Sequence, residues 1–197
     1  MDKHLYKNLR YNITVNILDG AFFGIAWGTA SFFTIIPLFV STMTDSATLI
    51  GLIPAIHAMG WQLPQLLTAH RISRATRIKP MLIWMMLQER LPFLGLALIA
   101  WLLPSIGKDV ALTLTFILLI WQGLGAGFAA NPWQSLIAKI IPSGIRGTFI
   151  GAQAAAANLL ASLGAILAGL ILEKYIQPFD FFYCYKYMRY YKFNLKL

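Results

Sequence analysis

Five stretches of the chain stay largely apolar for about twenty residues or more, at 14–40, 47–69, 80–103, 110–130 and 146–172, with short polar segments between them. A helix needs about 20 such residues to cross a hydrocarbon core of ~30 Å, because in lipid each backbone N–H and C=O must be satisfied within its own segment. The pattern predicts an all-α integral membrane protein: a five-helix bundle over 1–172, then an atypical tail over 173–197. The first stretch follows Lys3, Lys7 and Arg10, as a secretory signal would. Its apolar part is about twice the length of a signal core and contains Asp19, so it reads as a retained helix.

Composition agrees with this pattern. Of 197 residues, 58% are hydrophobic and 12% charged, against roughly 45–50% and 25% in soluble domains. A soluble enzyme is therefore not expected. The net charge is +9, but its placement matters more than its size. Residues 1–13 carry three Lys or Arg, residues 70–79 carry four (Arg71, Arg74, Arg77 and Lys79), and residues 131–146 carry two (Lys139 and Arg146). The alternate segments, 41–46 and 104–109, hold only Lys108. Basic residues collect in short cytoplasmic loops, so the chain is expected to thread a cell membrane with its N-terminus in the cytoplasm. The partner of this charge is then the bilayer surface, and nucleic acid is not expected.

Several kinds of chemistry have no foothold. The single cysteine, Cys184, cannot form an intrachain disulfide, and no Cys or His spacing suggests a metal, so neither a metal nor a cofactor is expected. The GxSxG, HExxH, GxGxxG and P-loop patterns do not occur. Only Asp19 and Glu89 are acidic within a predicted span, too few for the paired carboxylates of a metal-dependent membrane transferase. No enzymatic activity is expected.

The polar residues inside the spans are the functional candidates, because an ionisable group in hydrocarbon is costly unless paired or hydrated. Counting ~1.5 Å per residue from each cytoplasmic end puts Asp19 at ~8 Å, Gln62 at ~10 Å, Glu89 and Arg90 at ~13 Å, Gln122 at ~12 Å and Gln153 at ~9 Å. Five helices thus contribute to one layer. His57 and Asn158 lie deeper, at ~16–18 Å. Adjacent helical residues point about 100° apart, so the economical arrangement pairs Arg90 with Asp19 and leaves Glu89 to find hydrogen bonds or take up a proton. A buried ion pair that only fixes helix register is an equal alternative, and the amides and His57 can equally serve as interhelical hydrogen-bond partners.

Small residues spaced by four mark close helix contacts. Gly20, Gly24 and Gly28 form one such stripe, Gly123, Gly125 and Gly127 another group, and Gly151, Gly164 and Gly169 lie on the fifth stretch. They predict a tight bundle with the first, fourth and fifth helices closely approached.

The tail from Glu173 breaks the pattern, with ten aromatic residues, five Lys or Arg, and no Ala, Gly, Val, Ser or Thr. It reads either as an interfacial segment or as a sixth helix begun near Phe179 and cut short, the reading frame being lost near Tyr185.

The stretch from Gln122 to Gly169 carries a resemblance. Gln122 to Gly125 form a QGxG element, Pro142 and the Arg146-Gly147 pair follow in a loop, and a glycine-rich helix comes next. With the basic loop HRISRATRIKP, this order is similar to the amino-terminal six-helix half of major facilitator superfamily transporters, over about residues 12–183. Ser73-Arg74 and Thr76-Arg77 stand where that family has Asp-Arg and Gly-Arg pairs. The resemblance implies a secondary carrier working by alternating access, with a small-molecule solute and protons as partners. It also implies that Arg71, Arg74, Arg77, Lys79, Arg146 and Gly147 belong to a cytoplasmic gating region. Such halves are inverted three-helix repeats, so the chain is expected to be a fragment, inactive without a carboxyl-terminal half or a second copy. The competing expectation is a non-transporting scaffold assembling through its glycine faces.

Overall fold

The computed structural model describes residues 8–73, 78–174 and 179–187. Every regular element among them is helical: α1 (Leu9–Thr29), α2 (Ile35–Ser41), α3 (Ala47–Ser73), α4 (Ile78–Ile106), α5 (Lys108–Ile140), α6 (Ser143–Lys174) and α7 (Phe179–Tyr187). Among the described residues, three stretches are long and apolar enough to cross a membrane, Lys79–Ile106, Lys108–Ile140 and Ser143–Lys174. Asn12, Asn16 and Asp19 in α1, and His57, Gln62 and Gln65 in α3, make the other two long helices more polar.

The first expected span, 14–40, is two helices. Pro37 has no N–H, and its ring would clash with the carbonyl of residue 33 in a continuous helix. The chain leaves α1 at Ala30, where Thr29 Oγ1 donates to Ala26 O at 2.8 Å, and restarts at Ile35, which puts Pro37 in the first turn of α2, where its missing N–H loses no helical partner. The other spans run longer than the apolar stretches alone. The largest difference is in α5, which continues through Asn131 and Pro132 to Ile140, so most of the expected loop 131–146 is helix. Asn131 secures this extension by donating from Nδ2 to Gln65 O at 2.7 Å and to Thr68 Oγ1 at 3.0 Å on α3. Lys79 falls in the first turn of α4 and Arg71 in the last turn of α3. Arg74 and Arg77 lie outside the described residues.

The helices pack as α1 along α6, with α5 between α3 and α4. Gly24 and Gly28 bring α1 against the backbone of Ala157 and Ala161, and Gly164 receives the carbonyl of Ile25 from the other side. Gly20 lies under the Gln153 side chain. The glycines of the fourth span do not join this seam, contrary to the expected approach of first, fourth and fifth helices. Gly123 and Gly127, four residues apart, face Gly60 on α3, while Gly125, on another face, meets the backbone of Gln88 and Glu89 on α4. Pro64 deprives the Gly60 carbonyl of its helical donor, and Gly127 lets α5 close over that oxygen. Gly151 and Gly169 also depart from the packing assigned to them: a Cβ at either would meet nothing within 4 Å.

Two apolar cores form at opposite ends of the bundle. One gathers α2, the start of α3 and α5, the end of α4, and α7, around Phe32, Phe39, Phe93 and Leu119. The other joins Leu82 of α4, Leu136, Ile137 and Ile140 of α5, and Phe149 of α6 with the first turns of α1. The tail contributes to the first core. Its helix begins at Phe179, and Phe181, Cys184 and Tyr185 are fully buried against α2 and α4. The segments 175–178 and 188–197 lie outside the described residues.

Candidate functional site

Between the two cores the helices do not meet completely, and a cavity of about 580 Å³ remains. Each long helix presents one stripe to it, at spacings of three and four that follow from 3.6 residues per turn. Helix α1 presents Asp19, Phe23 and Trp27, α3 presents His57, Trp61 and Gln62, and α4 presents Met86, Glu89 and Arg90. The remaining walls are Ala126, Ala130 and Trp133 of α5 and Ile150, Gln153 and Ala157 of α6.

Six residues expected from their depth therefore share one space: Asp19, His57, Gln62, Glu89, Arg90 and Gln153. Glu89 is buried and Arg90 half-buried on adjacent positions of α4. Both carboxyl groups attract the Arg90 guanidinium, Glu89 from the adjacent position on α4 and Asp19 from α1, so the expected Asp19 partner is joined by a second.

Gln122 lies one layer behind. It is fully buried, and its Oε1 accepts from His57 Nδ1–H at 3.2 Å. This bond orients an imidazole whose ring centroid is 4.2 Å from Phe32 in a stacked arrangement and 5.1 Å from Trp27. Gln153 Nε2 donates to Asn16 O at 2.7 Å and straps α6 to α1 across Gly20. Both amides are thus interhelical bonds, and Gln62 is the amide exposed at the cavity.

Two other groups of residues stand elsewhere. Asn158 is exposed and outside the cavity lining. Counting depth along the axis ignored the angle, which turns it from the stripe through Gln153 and Ala157. Arg146 donates from Nη2 to Ala138 O at 2.9 Å and to Ile141 O at 3.1 Å, closing the carbonyl end of α5 that a helix leaves without partners. Gly147 faces open space.

The aromatic walls of the cavity are not among the residues singled out by polarity or depth. Phe23 and Trp27 follow Asp19 by four and eight residues, and Trp61 follows His57 by four. That spacing places rings directly above the polar groups already singled out and was the available signal.

Comparison with known proteins finds no matching family model, no matching curated protein and no matching solved structure. The geometry alone therefore supports the functional reading.

Proposed function

We propose that this bundle lies in a membrane with all five long helices spanning it, N-terminus in the cytoplasm, and that it forms one wall of a solute carrier working by alternating access. The observation that supports the reading best is a cavity between two apolar cores, to which all five long helices contribute a stripe. A carrier needs a hydrated, chemically selective space near mid-depth with a closed layer on either side, and carrier sites of this kind lie where helices of paired repeats converge. The outer surface supports the same environment. Leu66, Leu67, Phe33 and Leu159 are each at least 66% exposed, on helices that present large apolar side chains outward. In water such a surface would drive association; in lipid it is the expected exterior. Burying Glu89 and Arg90 inside this bundle is costly, and binding a polar solute is a reason to maintain them.

Cysteine labelling in sealed vesicles tests this reading, with the wild-type chain and its buried Cys184 as control. Gln62→Cys at the cavity is expected to react with a membrane-impermeant maleimide, and Leu66→Cys, at a position 79% exposed on the outer face, is not. Equal reaction at both positions removes the membrane reading. Protection of Gln62→Cys by a solute supports the carrier. A bundle that only scaffolds, through open faces such as that of Gly151, would label at Gln62→Cys and be protected by none.

A further inference from the structure

We infer that the solute this cavity accepts is an organic cation with an apolar, preferably aromatic, body; the inference rests on the carrier reading above for access to the cavity. Two features carry it, and they are independent. The first is the charge count. The lining holds two carboxyl groups, Asp19 and Glu89, and one guanidinium, Arg90, which interacts with both. Among the described residues no other charged side chain lines the space, and His57 is held by its bond to Gln122 and by rings on its faces. One carboxyl group is therefore in excess. A buried charge must be compensated, and here a proton or a bound cation can do it.

The second feature is the wall. Phe23, Trp27, Trp61 and Trp133 supply aromatic surface from three different helices. The negative face of an aromatic ring attracts a cation, most strongly for tryptophan and in a desolvated setting. A small hydrated ion would leave the rest of a 580 Å³ space unfilled, whereas a bulky organic cation fills it and meets both rings and carboxylate. An anion of the same shape gains the same dispersion contacts but faces the surplus carboxylate and the ring faces. The walls and the charge thus select the same chemistry.

The test uses two ions of nearly identical shape and opposite charge, tetraphenylphosphonium and tetraphenylborate, with the full chain in lipid nanodiscs and protein-free nanodiscs as the partitioning control. Tetraphenylphosphonium is expected to bind saturably and at least tenfold more tightly than tetraphenylborate. Asp19→Asn leaves the Glu89–Arg90 pair and should abolish that preference, while Trp61→Leu should weaken cation binding several-fold without reversing it.

Acidification should release the cation, because a proton then neutralises the excess carboxyl group. Among the described residues, the titratable and charged groups facing the space are Asp19 from α1, His57 from α3, and Glu89 and Arg90 from α4, with none from α5 or α6. Equal or stronger binding of tetraphenylborate, or saturable binding of neither ion, overturns the inference. The comparison in the wild-type chain needs no variant to fold. If Gln62→Cys still labels and is protected by a neutral solute, the carrier reading survives that result; if Gln62→Cys and Leu66→Cys label alike, the carrier reading falls first.

Discussion

Two faces of α6 use the same small residues to opposite ends. Toward α1 the helix offers Ala157, Ala161 and Gly164, and there the backbones approach until no methyl fits at Gly24, Gly28 or Gly164. On the far side, Gly147, Gly151 and Gly169 border space with no atom within 4 Å of where a Cβ would stand. Gly151 and Gln153 are two residues apart, about 200° around a helix, and so belong to different worlds. A glycine in an apolar helix is therefore not evidence of a contact. What decides is whether a partner helix carries a complementary stripe, as Gly20, Gly24 and Gly28 do on α1.

The comparison breaks most sharply at Gly24. A Cβ there would lie 2.9 Å from Ala157 Cα and 2.7 Å from its carbonyl carbon, and neither backbone atom can swing aside. Gly24→Ala therefore forces α1 and α6 apart and should destabilise the bundle by about 2–3 kcal/mol, the upper range for overpacking a dense interior. Denaturation in mixed detergent micelles measures it. Unchanged stability would mean that the seam is looser than this contact requires.

A smaller effect is expected at the crossing of α3 and α5, which closes through a polar bond as well as through Gly60 and Gly123. His57→Phe keeps the ring against Phe32 and Trp27 but leaves the Gln122 carboxamide, already with an unpartnered Nε2, without a donor for Oε1. Stranding a buried acceptor costs about 1–3 kcal/mol. The double change His57→Phe with Gln122→Leu removes both partners and should recover most of that loss, so the cycle over the four proteins reads the coupling directly. Additive losses would indicate that the two side chains do not depend on each other.

Much of this arrangement was legible in the chain, because periodicity survives whatever the helices pack against. Asp19, Gln62, Glu89, Arg90 and Gln153 were placed at one height by counting residues, and the cavity joins them. The break after Thr29 was not legible, since Pro37 looks no different in sequence from Pro54, Pro64, Pro92 and Pro132, which continuous helices accommodate. What could not be read was azimuth. Depth alone put Asn158 with Gln153, although it points outward, and composition alone could not say that Gly125 faces α4 while Gly123 and Gly127 face α3. The extension of α5 past Pro132 was hidden because it depends on Asn131 reaching Gln65 and Thr68, side-chain bonds about 65 positions away in sequence. In the tail the start of a helix near Phe179 was legible, but not that Phe181, Cys184 and Tyr185 complete the core beside Phe39, because that depends on α2 and α4 meeting it.

The smallest effect sharpens the comparison most, because it uses the same chemical change on the helix that faces Gly24. At Gly151 an added methyl meets nothing within 4 Å, and the residue is exposed. The substitution Gly151→Ala removes backbone freedom from the unfolded chain and adds no clash. Helix propensity favours alanine by at most ~1 kcal/mol, an amount that shrinks if the unfolded reference in lipid or micelle is already helical. The expected outcome is a change between zero and a gain of ~1 kcal/mol in the same detergent titration used for Gly24→Ala. A loss comparable to that of Gly24→Ala would have a specific meaning. It would show that the open face of α6 is covered in the membrane by another helix, packed as closely as α1 is on the opposite side.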